Sequence, residues 1–273
     1  GAGALRSNTT ASNNTAVGTN SLNANTTGST NTAVGKGSLT ANTTGSSGVA
    51  VGKDALLSNT TGANNVAIGV TAAGSITTGS SNIAIGKNAM DHAINTTTGS
   101  QNIMIGELTD MTTVSGNNQT AIGYNVTCVG DNNFSFGNGT TDSNIAFGAT
   151  SITAPSDIRL KEDIEDEVVG LDFIKDLRPV TFRWKKGKDV PSEMKAHVPD
   201  SEERVMNGKY NHGFIAQEVK EVIDNHDLKD GFDMWTEDEV DGRQRIGEAS
   251  LMPLMVKAVQ ELSAKVEALE NKE

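Results

Sequence analysis

One cysteine, five prolines, two tryptophans and two tyrosines are all that 273 residues contain of those types. The lone Cys128 excludes an intrachain disulfide framework and any cysteine-based zinc site. An aromatic share of 4% is too small for one ordinary globular core, because large aromatic and aliphatic side chains supply most of the burial energy there. No apolar run reaches the ~18 residues that span a bilayer, so membrane insertion is not expected. Positive charge is also scarce: 22 basic residues face 34 acidic ones, a net charge of −12. Phosphate contacts want Lys or Arg, so binding to nucleic acid or anionic lipid is not expected either. His92, His197, His212 and His226 show no metal-binding spacing, and no GxxxxGK[ST] loop is present. No metal and no cofactor is therefore expected. Acid-rich Glu237–Asp241 lacks the spacing of a calcium loop and reads as solvated.

The deficits are unevenly spread. Residues 1–150 hold 4 basic and 6 acidic residues, 22 of the 29 glycines and no proline. Residues 151–273 carry both tryptophans, all five prolines and −10 of the net charge. Two domains are expected, 1–150 and 151–273, a count that suits the length.

What the first part does have is a beat. Gly1, Gly18, Gly35, Gly52, Gly69 and Gly86 lie 17 residues apart, followed by Gly106 after 20 and Gly123 after 17. The segments before them read Asn14-Thr-Ala-Val, Asn31-Thr-Ala-Val, Asn65-Val-Ala-Ile and Asn82-Ile-Ala-Ile. A second glycine keeps time at Gly28, Gly45, Gly62 and Gly79, in Thr-Thr-Gly turns. Each unit predicts a strand, a glycine bend, a second short strand and a polar turn. Such a unit buries too little to stand alone and must stack. The apolar mass of one chain is small, which predicts that several chains share the core. After Gly123 the spacing shortens to Gly137 and Gly148, so the stack tapers. The Asn-x-Thr triplets at Asn8, Asn25, Asn42 and Asn59 read as recurring turns rather than glycan acceptors.

These units resemble the head repeats of trimeric autotransporter adhesins over residues 1–123. The resemblance implies a mainly β N-terminal part, a trimeric left-handed parallel β-roll with coils of ~17 residues. Gly1–Leu5 aligns with Gly18–Leu22, so the chain is expected to open in mid-repeat, as part of a longer shaft.

At Ser156-Asp-Ile-Arg-Leu-Lys161 charge density jumps. Locally the Ser-Asp pair after Pro155 reads as an extended linker into a turn or a helix N-cap. Ser and Lys five apart also suit a nucleophile with its base. The wider context, Ser156-Asp-x-Arg-Leu-Lys161-x-x-Ile164, resembles the opening of the C-terminal intramolecular chaperone of phage tailspikes and tail fibres, the endosialidase-type Peptidase S74 family. Leu177-Arg-Pro-Val-Thr-Phe-Arg-Trp184, Gly213-Phe-Ile-Ala-Gln-Glu-Val219 and the segment from Ile246 to Leu269 match further stretches of that family in order. Glu248-Ala-Ser250 departs from it, standing where a tyrosine is common before the last helix.

The resemblance implies an α+β chaperone domain ending in a long helix. It also implies a homotrimer, and autoproteolysis between Ser156 and Asp157 with Ser156 and Lys161 as the catalytic pair. A lysine is a poor base at neutral pH until burial or positive charge depresses its pKa, and Arg159 is the candidate support. The expected setting is a virion tail fibre or appendage, assembled in the bacterial cytoplasm and able to meet a host receptor. The alternative is a structural adhesin whose C-terminal domain trimerises without cutting. In the last helix Met252, Met255, Val259, Leu262, Val266 and Leu269 step by 3 and 4. That spacing suits either a helix packed on its own domain or an interchain coiled coil.

Overall fold

The computed structural model describes residues 1–93, 97–154, 156–228, 233–238 and 242–271. It falls into two compact units, Gly1–Lys161 and Glu162–Glu273.

The first unit is a β-solenoid. Seven strands stack in parallel and in sequence order: β1 (Thr15–Val17), β2 (Thr32–Val34), β3 (Val49–Val51), β4 (Val66–Ile68), β5 (Ile83–Ile85), β6 (Ile103–Ile105) and β7 (Gln119–Tyr124). The register follows the glycine beat: Ala16 faces Ala33, Ala33 faces Ala50, and Ala84 faces Met104 across the longer coil. Alternation along each short strand sends the middle residue inward. Ala33, Ala50, Ala67, Ala84, Met104 and Ala121 are fully buried. The residues on either side point out, so Val17, Val34, Val51, Ile68 and Ile122 form an exposed aliphatic row.

The glycine after each strand is a requirement of geometry. Gly35 has φ +135°, and a Cβ there would lie 2.3 Å from the carbonyl oxygen of Gly52 in the next coil. The second short strand expected in each coil is instead a turn. Leu22, Leu39 and Leu56 adopt left-handed backbone with φ 49°, 51° and 50°, and all three side chains are buried. Left-handed backbone costs a non-glycine residue about 1–2 kcal/mol. Burying a leucine returns about 1.5–3 kcal/mol, so the turn persists because it drives the leucine into the coil. Together with Ile76, Met90 and Met111 these leucines form a continuous interior within one chain.

Two amide ladders run along this interior. Asn42 donates through Nδ2 to Asn25 Oδ1 and Asn59 donates to Asn42 Oδ1, both at 2.8 Å. The same amides reach the carbonyls of Gly45 and Gly62. In the second ladder the Asn31 N–H donates to Asn14 Oδ1, the Asn82 N–H to Asn65 Oδ1, and the Gln119 N–H to Asn102 Oδ1. Position 48, where the pattern calls for asparagine, is glycine. Asn25, Asn42 and Asn59 are buried, so in the folded coil these triplets serve the interior.

The stack ends by reversal. β8 (Asn133–Asn138) still runs parallel to β7, but β9 (Ser143–Ala146) pairs antiparallel with β8. Thr153 then closes on Asn144 with reciprocal backbone hydrogen bonds of 2.8 Å.

In the second unit α1 (Leu171–Asp176), α2 (Ala216–Asn225) and α3 (Leu251–Glu270) accompany two small antiparallel pairs. These are β10 (Val180–Phe182) with β11 (Asn211–Gly213), and β12 (Trp235–Glu237) with β13 (Gln244–Ile246). Phe173, Leu177, Val219, Ile223, Met234, Leu251 and Leu254 form its core. Pro253 lies in the first turn of α3, where its missing N–H leaves no helical bond unmade. Among the described residues no helix is long and apolar enough to cross a membrane.

Candidate functional site

Beyond Thr153 the chain leaves the sheet, and within a few residues it bends. Asp157, in extended backbone, caps a 3-10 turn over Ile158–Leu160, its carboxylate accepting from the Arg159 N–H at 2.9 Å. The Leu160 N–H donates to the Asp157 carbonyl and the Lys161 N–H to the Ile158 carbonyl, at 3.0 and 3.2 Å. The turn shortens the path between positions 156 and 161. Five extended residues would span about 17 Å, out of reach of a lysine side chain. With the bend in place, Lys161 Nζ donates to Ser156 Oγ at 2.8 Å.

A hydroxyl and an amine in this relation can exchange a proton. If the amine is neutral it accepts from the hydroxyl, or from a water beside it, and can return the proton to a leaving amine. Both side chains lie on the surface. In the one chain described, then, the pair has solvent around it rather than an enclosing pocket.

Arg159 is turned toward Asp157, not toward Lys161. Its Nε donates to Asp157 Oδ1 at 2.9 Å and its Nη2 to Oδ2 at 2.5 Å, a two-pronged pair. The guanidinium, together with the Arg159 N–H, holds the Asp157 carboxyl below the usual carboxylate range. The guanidinium's own charge is thereby offset locally. Sequence reasoning named both residues but missed the pairing. An Asp and an Arg two apart meet only when the chain between them turns, and the N-cap signal in Ser156-Asp157 was the trace of that turn.

Two of the histidines have structural partners. His226 Nε2 lies 2.8 Å from Asp176 Oδ2, and His197 Nδ1 lies 2.7 Å from the Val190 carbonyl oxygen. Of the acid-rich segment, residues 239–241 lie outside the described residues. The family-like stretches fall on real elements: Leu177–Trp184 contains β10, and Gly213–Val219 joins the end of β11 to the start of α2.

Residues 156–228 match the sequence model of the family described as the chaperone of endosialidase, Peptidase S74. The match begins at the serine of the candidate pair. The solenoid that precedes it fits a fibre shaft. No curated protein and no solved structure matches the chain.

Proposed function

We propose, taking residues 156–228 as a chaperone segment of the endosialidase type, that this chain is part of a phage tail fibre or appendage. Its C-terminal unit associates with two further copies, sets the solenoids in register, and then releases itself by cutting between Ser156 and Asp157. The cut is a hydrolysis. The C–N bond breaks, water adds a hydroxyl to the Ser156 carbonyl carbon, and the Asp157 nitrogen leaves as an amine. Lys161 serves as the proton carrier for Ser156. Attack by Ser156 Oγ on its own carbonyl would close a strained four-membered lactone. The attacking oxygen therefore comes from water, from Ser156 of a second copy, or with help from Asp157. The observation that carries the reading is the 2.8 Å contact between Lys161 Nζ and Ser156 Oγ at the head of the family match.

Self-association is supported by two apolar rows that one chain leaves uncovered. In α3 the buried face is Leu251, Leu254 and Ala258, whereas Met252, Met255, Val259, Leu262, Val266 and Leu269 are 45–66% exposed. That seam has the 3-4 spacing of a coiled coil, and it places Lys265 and Glu270 at flanking positions that attract one another between parallel, in-register helices. In the solenoid the row from Val17 to Ile122 is the second such face.

The test is intact mass together with a denaturing gel. The wild-type chain is expected to break after Ser156, and Ser156→Ala is expected to remain at 28.5 kDa. If wild type also stays whole under every folding condition, the protein is the non-cleaving adhesin instead. Light scattering on the uncut Ser156→Ala protein should give three times the chain mass, and a single-chain mass would overturn the assembly.

A further inference from the structure

We infer that Asp157 and Arg159 form a clamp that positions the Ser156–Lys161 pair, so that Arg159 acts on cleavage through Asp157 rather than through its charge on Lys161. The inference rests on the proposed self-cleavage and adds to it the residues that hold its geometry.

Three observations converge on the clamp. Two of the three backbone contacts that bend the chain back from 156 to 161 are accepted by Asp157, its carboxylate from the Arg159 N–H and its carbonyl from the Leu160 N–H, and the Lys161 N–H to Ile158 bond follows directly on them. The Arg159 side chain then grips the same carboxylate from outside, one nitrogen to each oxygen. Finally, the turn buries no side chain. With no apolar packing to hold it, the turn depends on hydrogen bonds and on this ion pair.

The clamp also decides what Asp157 can do. Oδ1 accepts from both the Arg159 N–H and Nε, and Oδ2 from Nη2, so both oxygens are engaged by Arg159. An aspartate held in this way is a poor nucleophile and a poor base. Help from its carboxylate in breaking the neighbouring bond is therefore disfavoured relative to water or a second copy's serine as the attacking oxygen. A single exposed ion pair stabilises little by itself. Here it acts on geometry, and a catalytic geometry loosened by an ångström loses rate steeply.

The experiment is a pH profile of the cleavage rate in the full chain, for wild type, Arg159→Gln, Arg159→Lys, Asp157→Asn and the double variant Asp157→Asn/Arg159→Gln. Ser156→Ala is the uncut control, and each variant's oligomeric mass and melting temperature are measured alongside. The clamp predicts that Arg159→Gln and Arg159→Lys are both slowed about tenfold or more, because lysine keeps the charge but lacks the fork. It predicts that the pH at which the rate rises stays where wild type has it. The double variant should be no slower than the slower single one. If Arg159→Lys cuts like wild type while Arg159→Gln shifts the rise to higher pH, Arg159 works by charge and the clamp is wrong. Wild-type rates in every Arg159 variant would also overturn it. Failure of wild type itself to cut would instead defeat the self-cleavage on which it rests.

Discussion

A single glycine shows how little freedom the coil allows. At Gly35 the backbone is left-handed and the next coil's carbonyl stands where a Cβ would go. Gly35→Ala must therefore bear backbone strain and a displaced neighbour together. It is expected to cost about 2–4 kcal/mol, read as a lower midpoint in chemical unfolding. Gly48 is the opposite case. Its φ is not left-handed, and it stands where the ladder calls for an amide. In Gly48→Asn, Oδ1 would meet the Asn65 N–H and Nδ2 the Gly62 carbonyl, as Asn31 does for Gly48 and Gly45. The variant should gain about 1 kcal/mol in the same measurement. A loss would mean that the close approach of Asn31 Oδ1, 3.0 Å from the new Cβ, outweighs the new bonds.

The glycines were legible because each one marks a conformation that other residues avoid. The leucines were not. Nothing in Ser-Leu-Asn or Ser-Leu-Thr announces a buried residue in left-handed backbone, since local propensity argues against it and only the finished interior reverses the balance. The asparagines were half legible. Their recurrence read as a turn, but the ladder exists only between coils and so has no local signature. At the site, the pair Ser156 and Lys161 was legible as a motif, whereas the grip of Arg159 on Asp157 depends on a turn that five residues of sequence only suggest.

Among the elements, α3 separates two tasks by face. Leu254 lies in the core of its own unit, and Leu262 lies on the open seam. Leu254→Ala should lower the stability of the C-terminal unit by about 2–4 kcal/mol whatever the protein concentration. Leu262→Asp should leave the secondary structure of a dilute sample intact while reducing its mass in light scattering to that of one chain. Equal effects from the two substitutions would show that the seam is covered within the chain. Heptad spacing alone suited both arrangements. The burial of Leu251, Leu254 and Ala258 is what assigns the own-domain role to the other face.

For the whole molecule, identical strands stacked at short intervals can pair out of register at little cost, and non-local closure is slow. Under the proposed function, a C-terminal unit that associates first would remove that search, and its departure would remove the means of repeating it. The cut shaft is therefore expected to survive by slow unfolding rather than by equilibrium. After guanidinium denaturation and dilution, cleaved protein should fail to recover its β signal, whereas uncut Ser156→Ala recovers most of it. Equal recovery from both would show that the solenoid needs no help.

The longer coil between Gly86 and Gly106 has a further consequence. Its neighbours repeat every 17 residues, yet here the partner of Ile83 is Ile103. Were all coils equal, chains displaced by one coil would fit one another almost as well as chains in step. With one coil longer, a displaced chain sets a 20-residue loop against a 17-residue one. Between associated chains that odd coil would work as an index notch. If the shafts associate side by side as proposed, they have one alignment in which all the notches coincide.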